Sequence, residues 1–301
     1  MNEAVLDNIA DFIQERSCLL FTEHKRPMLK QRLEERLAYL CLPDLTAYWN
    51  YLRNAVHEEC KLLDLITINE TSFFRNTGQF RFITERIIPE LETEKGKEVM
   101  RSWGSIDPVP QGSIMKVRIL CAGCSTGEEP YSVAMALFDR LRYPKAWDTE
   151  ILAGDLSESC IRTASAGYYE TDRLKGLPVA YANKYMERHG AGSVVKDEIK
   201  RLVRFCHMNL VDVINGVPLP GQERDNELFD IIFCRNVMIY FSPETQQQLV
   251  DTLFRLLIPG GYLFTGDAEP LHLYNHDFEP VREAGCLIYR KKETSNYVEA
   301  V

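Results

Sequence analysis

Residues 120–130, Leu-Cys-Ala-Gly-Cys-Ser-Thr-Gly-Glu-Glu-Pro, constrain this chain more than any other stretch. Val117, Ile119 and Leu120 form an apolar run that reads as a buried strand, and Gly123, Ser125, Thr126 and Gly127 then make a tight turn. Tyr131, Ala134, Met135, Leu137 and Phe138 start a helical period directly afterwards. A strand, a turn of small residues and a helix let a nucleotide-like ligand touch the backbone at the carboxyl end of a sheet. The turn ends in two carboxylates, Glu128 and Glu129, which repel a pyrophosphate. The expected ligand is therefore cationic or rich in hydroxyls, which points to S-adenosylmethionine rather than NAD or ATP.

The rest of the chain fits this start. Its 301 residues suit one large domain and one small one. Apolar residues at 45% and charged residues at 26% are ordinary for a soluble globular protein. No apolar run approaches the roughly 20 residues that span a bilayer, so direct membrane insertion is not expected. Met-Asn-Glu-Ala-Val-Leu-Asp lacks the basic start and apolar core of a signal peptide, and a cytoplasmic location is expected. A net charge of −9 disfavours nucleic acid as a partner. The nine cysteines are odd in number and dispersed. Cys121-x-x-Cys124 formally matches a redox or zinc pair, but a second pair at metal spacing is missing; the favoured reading is small residues packed near a cofactor, with no metal.

Residues 1–68 read as helical. Val5, Ile9, Phe12 and Ile13 recur at helical spacing, as do Leu29, Leu33, Leu37 and Leu40. Pro43-Asp44 breaks the chain, and Asp44 is placed to cap a helix that carries Leu45, Tyr48, Trp49, Leu52 and Val56. Glu92–Lys116, punctuated by Gly96, Gly104, Pro108, Pro110 and Gly112, reads as a surface excursion. Strands and helices then alternate. The expected strands are Thr149–Ala153, Arg201–His207, Phe229–Cys234, Gly261–Thr265 and Cys286–Tyr289, with helices at Ser157–Ala166 and Pro243–Ile258. Such alternation implies a mostly parallel, doubly wound α/β sheet with helices on both faces. Residues 168–200 do not fit a simple crossover and read as an insertion.

Three further blocks carry candidate chemistry. Asp155 ends the second strand, where an acid accepts hydrogen bonds from ribose hydroxyls; the bland alternative is a helix cap, a duty Ser157 can also perform. Phe229-Asp-Ile-Ile-Phe-Cys is a buried strand ending in Arg235 and Asn236, beside the first strand at the switch point. There Asn236 and its neighbours can read the cofactor, and Tyr240 either hangs over the reacting centre or packs half-buried. Asn69-Glu-Thr-Ser-Phe-Phe-Arg suits a lid over a pocket, or a capped helix start with Phe73 and Phe74 in a core.

Taken in order, Asn69-Glu-Thr-Ser-Phe-Phe-Arg, Ser125-Thr-Gly-Glu-Glu-Pro-Tyr-Ser, Ala153-Gly-Asp and Phe233-Cys-Arg-Asn-Val-Met-Ile-Tyr-Phe closely resemble the bacterial chemotaxis receptor methyltransferases. These are S-adenosylmethionine-dependent protein-glutamate O-methyltransferases. The resemblance covers nearly the whole chain. It implies a Rossmann-like class I methyltransferase sheet over 69–301, a small all-helical domain over 1–68 that docks the substrate, and an inserted β-subdomain at about 168–205. Asn69, Thr71, Arg75, Glu129, Asp155, Asn209, Leu210 and Asn236 are implied to line the cofactor pocket, with Gly123 and Arg235 beside them, and Arg75 and Tyr240 to flank the transferred methyl. Gly261-Tyr-Leu-Phe-Thr-Gly-Asp-Ala-Glu departs from the family's usual Gly-His-Ser-Glu ending, with Asp267 and Ala268 in place of His and Ser.

Lys25, Arg32 and Arg36, spaced by seven and four, share one expected helix stripe. The resemblance implies that this stripe docks the acidic helical region of transmembrane chemoreceptors; a solvated face is the plain alternative. The expected product is S-adenosylhomocysteine and the expected state a monomer. Two rival functions stand beside this one: methylation of nucleic acid or a small molecule, and a noncatalytic cofactor-binding scaffold.

Overall fold

A computed structural model describes residues 3–55, 57–103, 115–220, 228–283 and 285–293. Four helices come first: α1 Glu3–Ser17, α2 Arg26–Leu40, α3 Leu45–Asn54 and α4 Glu58–Ile66. Ile9, Ile13, Leu29, Leu33, Leu52 and Leu62 recur at helical spacing and fill one shared core. Asp44 caps α3 by accepting from the Ala47 N–H at 2.9 Å, as the Pro43-Asp44 break predicts. The bundle also buries charge: Glu58 accepts two hydrogen bonds from Arg36 and one from the Tyr48 hydroxyl.

Asn69–Arg75 does not start a helix. Phe74 and Asn76 both adopt left-handed backbone, with φ 52° and 64°, and α5 (Thr77–Phe82) begins only after them. Phe73 and Phe74 are nevertheless core residues. α5 continues through a π-helical turn, Ile83–Ile87, into α6 (Ile88–Trp103). The surface excursion expected from Glu92 is therefore helical as far as Trp103. Gly96 sits inside that helix with open space beside it, at a propensity cost of about 1 kcal/mol that the rest of the helix absorbs. Gly104, Pro108, Pro110 and Gly112 lie outside the described residues.

Strands and helices then alternate: β1 Met115–Ala122, α7 Glu128–Arg140, β2 Trp147–Asp155, α8 Glu158–Ala166, β3 Tyr168–Glu170, α9 Val179–Tyr185, β4 Met186–His189, β5 Gly192–Val195, α10 Asp197–Lys200 and β6 Val203–His207. α11 Leu210–Ile214, β7 Phe229–Cys234, α12 Pro243–Leu256, β8 Leu257–Thr265, β9 Phe278–Glu283 and β10 Cys286–Lys291 complete the order. Seven strands form one sheet, β6-β2-β1-β7-β8-β10-β9. β10 runs antiparallel to its neighbours and the other pairings are parallel. Alternate residues feed opposite faces: Ile119, Ile151 and Ile231 pack on the α7 side, while Leu120, Leu152 and Ile232 meet Leu249 and Leu253 of α12.

α12 stops at Leu256, short of the expected Ile258, and β8 begins at once at Leu257 rather than at Gly261. β9, which is not among the expected strands, lies at the sheet edge, where the missing N–H of Pro280 is tolerated. Residues 168–200 hold a second, antiparallel sheet in the order β3-β5-β4. β6 belongs to the main sheet, so the inserted unit ends before Val203 rather than near 205. Among the described residues no helix is long and apolar enough to cross a membrane.

Candidate functional site

The strand order reverses between β1 and β7, and the turn after β1 lies there at the carboxyl ends of the strands. Gly123, Ser125 and Gly127 take left-handed backbone, with φ 81°, 48° and 95°. A Cβ on Gly123 would lie 2.4 Å from the Val237 side chain, so only glycine lets the β1 and β7 loops approach this closely. The Gly123 and Cys124 N–H groups donate to the Gly154 carbonyl at 2.8 and 2.9 Å, tying the turn to β2. Cys121 and Cys124 are packed in the core, where burial pushes both thiols well up. Among the described residues no group of three or more His, Cys, Asp or Glu is arranged to hold a metal.

Asp155 does not cap the following helix. Ser157 does, accepting from the Cys160 N–H at 3.1 Å. Each Asp155 oxygen accepts one backbone N–H, from Ser125 at 2.7 Å and Ser157 at 2.9 Å, which fixes the carboxylate and leaves further lone pairs for a ligand. Burial pushes its pKa up, against the pull of those two N–H groups.

The two acids of the turn part company. Glu129 faces the cleft and takes one hydrogen bond at 3.0 Å from Arg235; burial pushes its carboxyl up, and Arg235 opposes the shift. Glu128 is fully buried on the far side, accepting from the Thr126 hydroxyl and from Arg173 of the insertion. Glu128 is also the first residue of α7, where an acid favours the helix start.

Arg235 lines the cleft. Its guanidinium donates to Glu129, to the Arg75 carbonyl at 2.8 Å and to the Asn76 side chain. These bonds tie the pocket acid to the Asn69–Arg75 block. Asn236, with φ 59°, is held by a residue the sequence reading passed over. Buried Glu269 accepts from the N–H groups of Asn236 at 2.6 Å, Gly266 at 2.8 Å and Ile239 at 3.3 Å, bracing the turn that carries Tyr240. Its only sequence signal is its place at the end of the altered Gly-Asp-Ala-Glu segment. In that segment Asp267 accepts from the Asn76 amide at 2.6 Å and so ties the β8 loop to the same block.

These elements line one open cleft. Asn69, Thr71 and Arg75 line it from one side, and Gly123, Glu129 and Asp155 from the sheet. Asn209, Leu210, Arg235, Asn236 and Tyr240 line the remainder. Asn209 does so mainly with its surface, since its side chain caps α11 and donates to the Arg16 carbonyl. The helical bundle closes the cleft through Ser17, Leu19, Leu20, Phe21 and Lys25, and the Leu20 N–H donates to the Tyr240 carbonyl at 2.8 Å.

The expected basic stripe is divided. Lys25 precedes α2 and lies 4.6 Å from the centre of the Tyr240 ring, inside the cleft, where burial pushes its ammonium pKa down. Arg36 is spent on Glu58. Arg32 alone remains a largely exposed cation, with Glu35 at 3.9 Å.

A seven-stranded sheet with this order, a glycine turn after β1 and an acid ending β2 define the Rossmann-like fold of class I methyltransferases. The chain belongs to the CheR methyltransferase family: residues 69–285 match its "SAM binding domain" and residues 4–67 its "all-alpha domain". A chemotaxis protein methyltransferase of Borreliella burgdorferi is 33% identical, over 83% of this chain and 82% of that one. One from Escherichia coli is 32% identical, over 89% and 85%. Chemotaxis protein methyltransferase 2 of Vibrio cholerae is 29% identical, over 90% and 88%.

The residues present fit S-adenosylmethionine. Asp155 is set to accept from hydroxyls, Glu129 is an acid with room for a cationic donor, and Leu156, Met208 and Leu210 offer apolar surface to a base.

Proposed function

We propose that this chain transfers a methyl group from S-adenosylmethionine to glutamate side chains of chemotaxis receptors, forming methyl esters and S-adenosylhomocysteine. One observation carries the reading. Two acids suited to a cationic, hydroxyl-rich donor, Glu129 and Asp155, share a cleft with two cations suited to an anionic acceptor, Arg75 and Lys25. The relatives are named chemotaxis protein methyltransferases, which favours an acceptor in chemotaxis over nucleic acid or a small molecule.

The donor, when bound, supplies a methyl carbon on a sulfonium: a carboxylate oxygen forms the new O–C bond as the C–S bond breaks, and the electron pair stays on sulfur as a thioether. A glutamate with pKa about 4.3 is already ionised at neutral pH, so no strong general base is required. The work left to the protein is alignment and removal of water. Arg75, anchored through its own donation to the Glu70 carbonyl at 3.0 Å, steers the carboxylate. Lys25 meets it from the bundle, and the Tyr240 hydroxyl fixes one oxygen. Opposite charges cancel as the bond forms, so the apolar strap of Leu19, Leu20 and Phe21 favours the reaction by excluding water.

Arg32 is the exposed cation of α2 and serves as the outer contact for an acidic receptor helix. Arg36 holds the bundle together instead. The test is incubation with methyl-labelled S-adenosylmethionine and receptor-bearing membranes. Base-labile label on receptor glutamates is expected; base-stable label, or label in nucleic acid or a small molecule, sinks the proposal.

A further inference from the structure

We propose that the inserted subdomain sets the conformation of the cofactor turn through Arg173, which acts as a positioning residue for S-adenosylmethionine. The proposal rests on reading residues 120–130 as the turn that holds this cofactor.

The insertion lies behind that turn, on the side away from the cleft. Arg173, in the 3-10 turn Thr171–Leu174 that follows β3, donates to the Thr126 hydroxyl at 2.6 Å and pairs with Glu128. The Thr126 hydroxyl in turn donates to Glu128 at 2.7 Å, which closes a three-membered ring of contacts. Tyr169 of β3 adds a fourth contact, donating to the Thr126 carbonyl at 2.7 Å. The side chain and carbonyl of one turn residue are thus held by two insertion residues, beside Ser125 and Glu129, which line the cleft.

The same insertion also backs the other half of the pocket. The Tyr169 ring meets Phe73 edge-on at 4.9 Å, and a Cβ on Gly176 would lie 2.4 Å from the Phe73 carbonyl oxygen. One small element therefore braces both the turn and the Asn69–Arg75 block. Glu128 is fully buried, whereas Arg173 remains 42% exposed. The brace can be reached from outside the protein while the acid it neutralises cannot. Gly123 and Gly127 make the turn entropically costly to order, and fixing it in advance lowers the cost of binding.

Removing Arg173 alone also strands a buried carboxylate, which lowers stability by itself. The experiment therefore compares wild type, Arg173→Ala, Glu128→Gln and the double variant of the full chain, by thermal unfolding and by calorimetric titration with S-adenosylhomocysteine. Arg173→Ala is expected to lower Tm and weaken binding about tenfold, the scale of one charge-assisted hydrogen bond. The double variant should regain Tm, since no unpaired charge remains, while binding stays about tenfold weak and KM for S-adenosylmethionine rises more than kcat falls. A double variant that binds like wild type overturns the proposal, because Arg173 would then only neutralise Glu128. Wild type that fails to bind S-adenosylhomocysteine removes the cofactor reading itself, a separate result.

Discussion

Two buried arginine–glutamate pairs stand in contrast, one in the helical bundle and one in the cleft. In the bundle, Arg36 donates to both Glu58 oxygens, at 2.8 and 2.6 Å, and the Tyr48 hydroxyl adds a third bond at 3.0 Å. In the cleft, Arg235 gives Glu129 a single bond at 3.0 Å, and the Arg235 Nε finds no partner among the described residues. The first pair is closed and the second is left open toward a cavity. A closed pair fixes the packing of α2, α3 and α4 against one another. An open pair is half of a binding site, with an acid desolvated in advance and held at one oxygen only.

The largest effect that separates them is Glu58→Ala. It leaves Arg36 and Tyr48 facing a hole and should cost about 3–5 kcal/mol of stability, read as a fall in the denaturation midpoint. S-adenosylhomocysteine affinity below the transition should be unchanged. A small stability loss, or a loss confined to ligand binding, would erase the distinction. Next is Glu129→Gln, which keeps the shape and the bond from Arg235 but removes the charge. Binding of S-adenosylhomocysteine should weaken by about 10- to 100-fold, the range for a hydrogen bond to a charged group, with less change in unfolding than Glu58→Ala gives. Tyr240→Phe sharpens the contrast inside the cleft. The ring that Lys25 covers remains and only the hydroxyl goes, so kcat should fall about tenfold with ligand affinity intact. Equal turnover would remove Tyr240 from the reaction.

What the sequence made legible was local. Gly123 and Gly127 announce a turn because other residues resist its backbone angles. Asp155 announces itself by ending a strand just before a serine that takes over the capping. Asp44 does the same for a helix. The missed features are bonds between distant residues of ordinary type. Glu269 reaches Asn236 across 33 positions, Arg173 reaches Glu128 across 45, and Asn76 reaches Asp267 across 191. Spacing rules carry no information at such separations. Lys25 illustrates a related limit: spacing aligns it with Arg32 and Arg36, but it lies just before α2, with its ammonium over the Tyr240 ring. Gly96 is another case: it is unfavourable inside α6, and tertiary context tolerates it.

The smallest effect concerns pH, and it pits the open pair against a closed one elsewhere in the sheet. Burial raises the Glu129 carboxyl, with Arg235 pulling the other way. Burial also acts on Glu150, but its bonds to Arg118 and Arg204 outweigh it and hold that carboxyl low. The signs therefore oppose. A raised carboxyl binds its proton more tightly when folded, so its contribution to stability is present in acid and lost as pH rises through the raised value. A lowered one contributes above its unfolded value and loses that contribution as pH falls. Ligand binding at Glu129 needs the charged form, so affinity for S-adenosylhomocysteine should strengthen with rising pH through the raised value. The ligand's own carboxyl titrates lower and its amine higher, which leaves a slope above the ordinary carboxylate range to the protein. Calorimetry from that range upward should show the rise in wild type and a flatter profile in Glu129→Gln. Identical profiles would mean that Glu129 meets the ligand without its charge, and the open pair would then be no more than an incomplete version of the closed one.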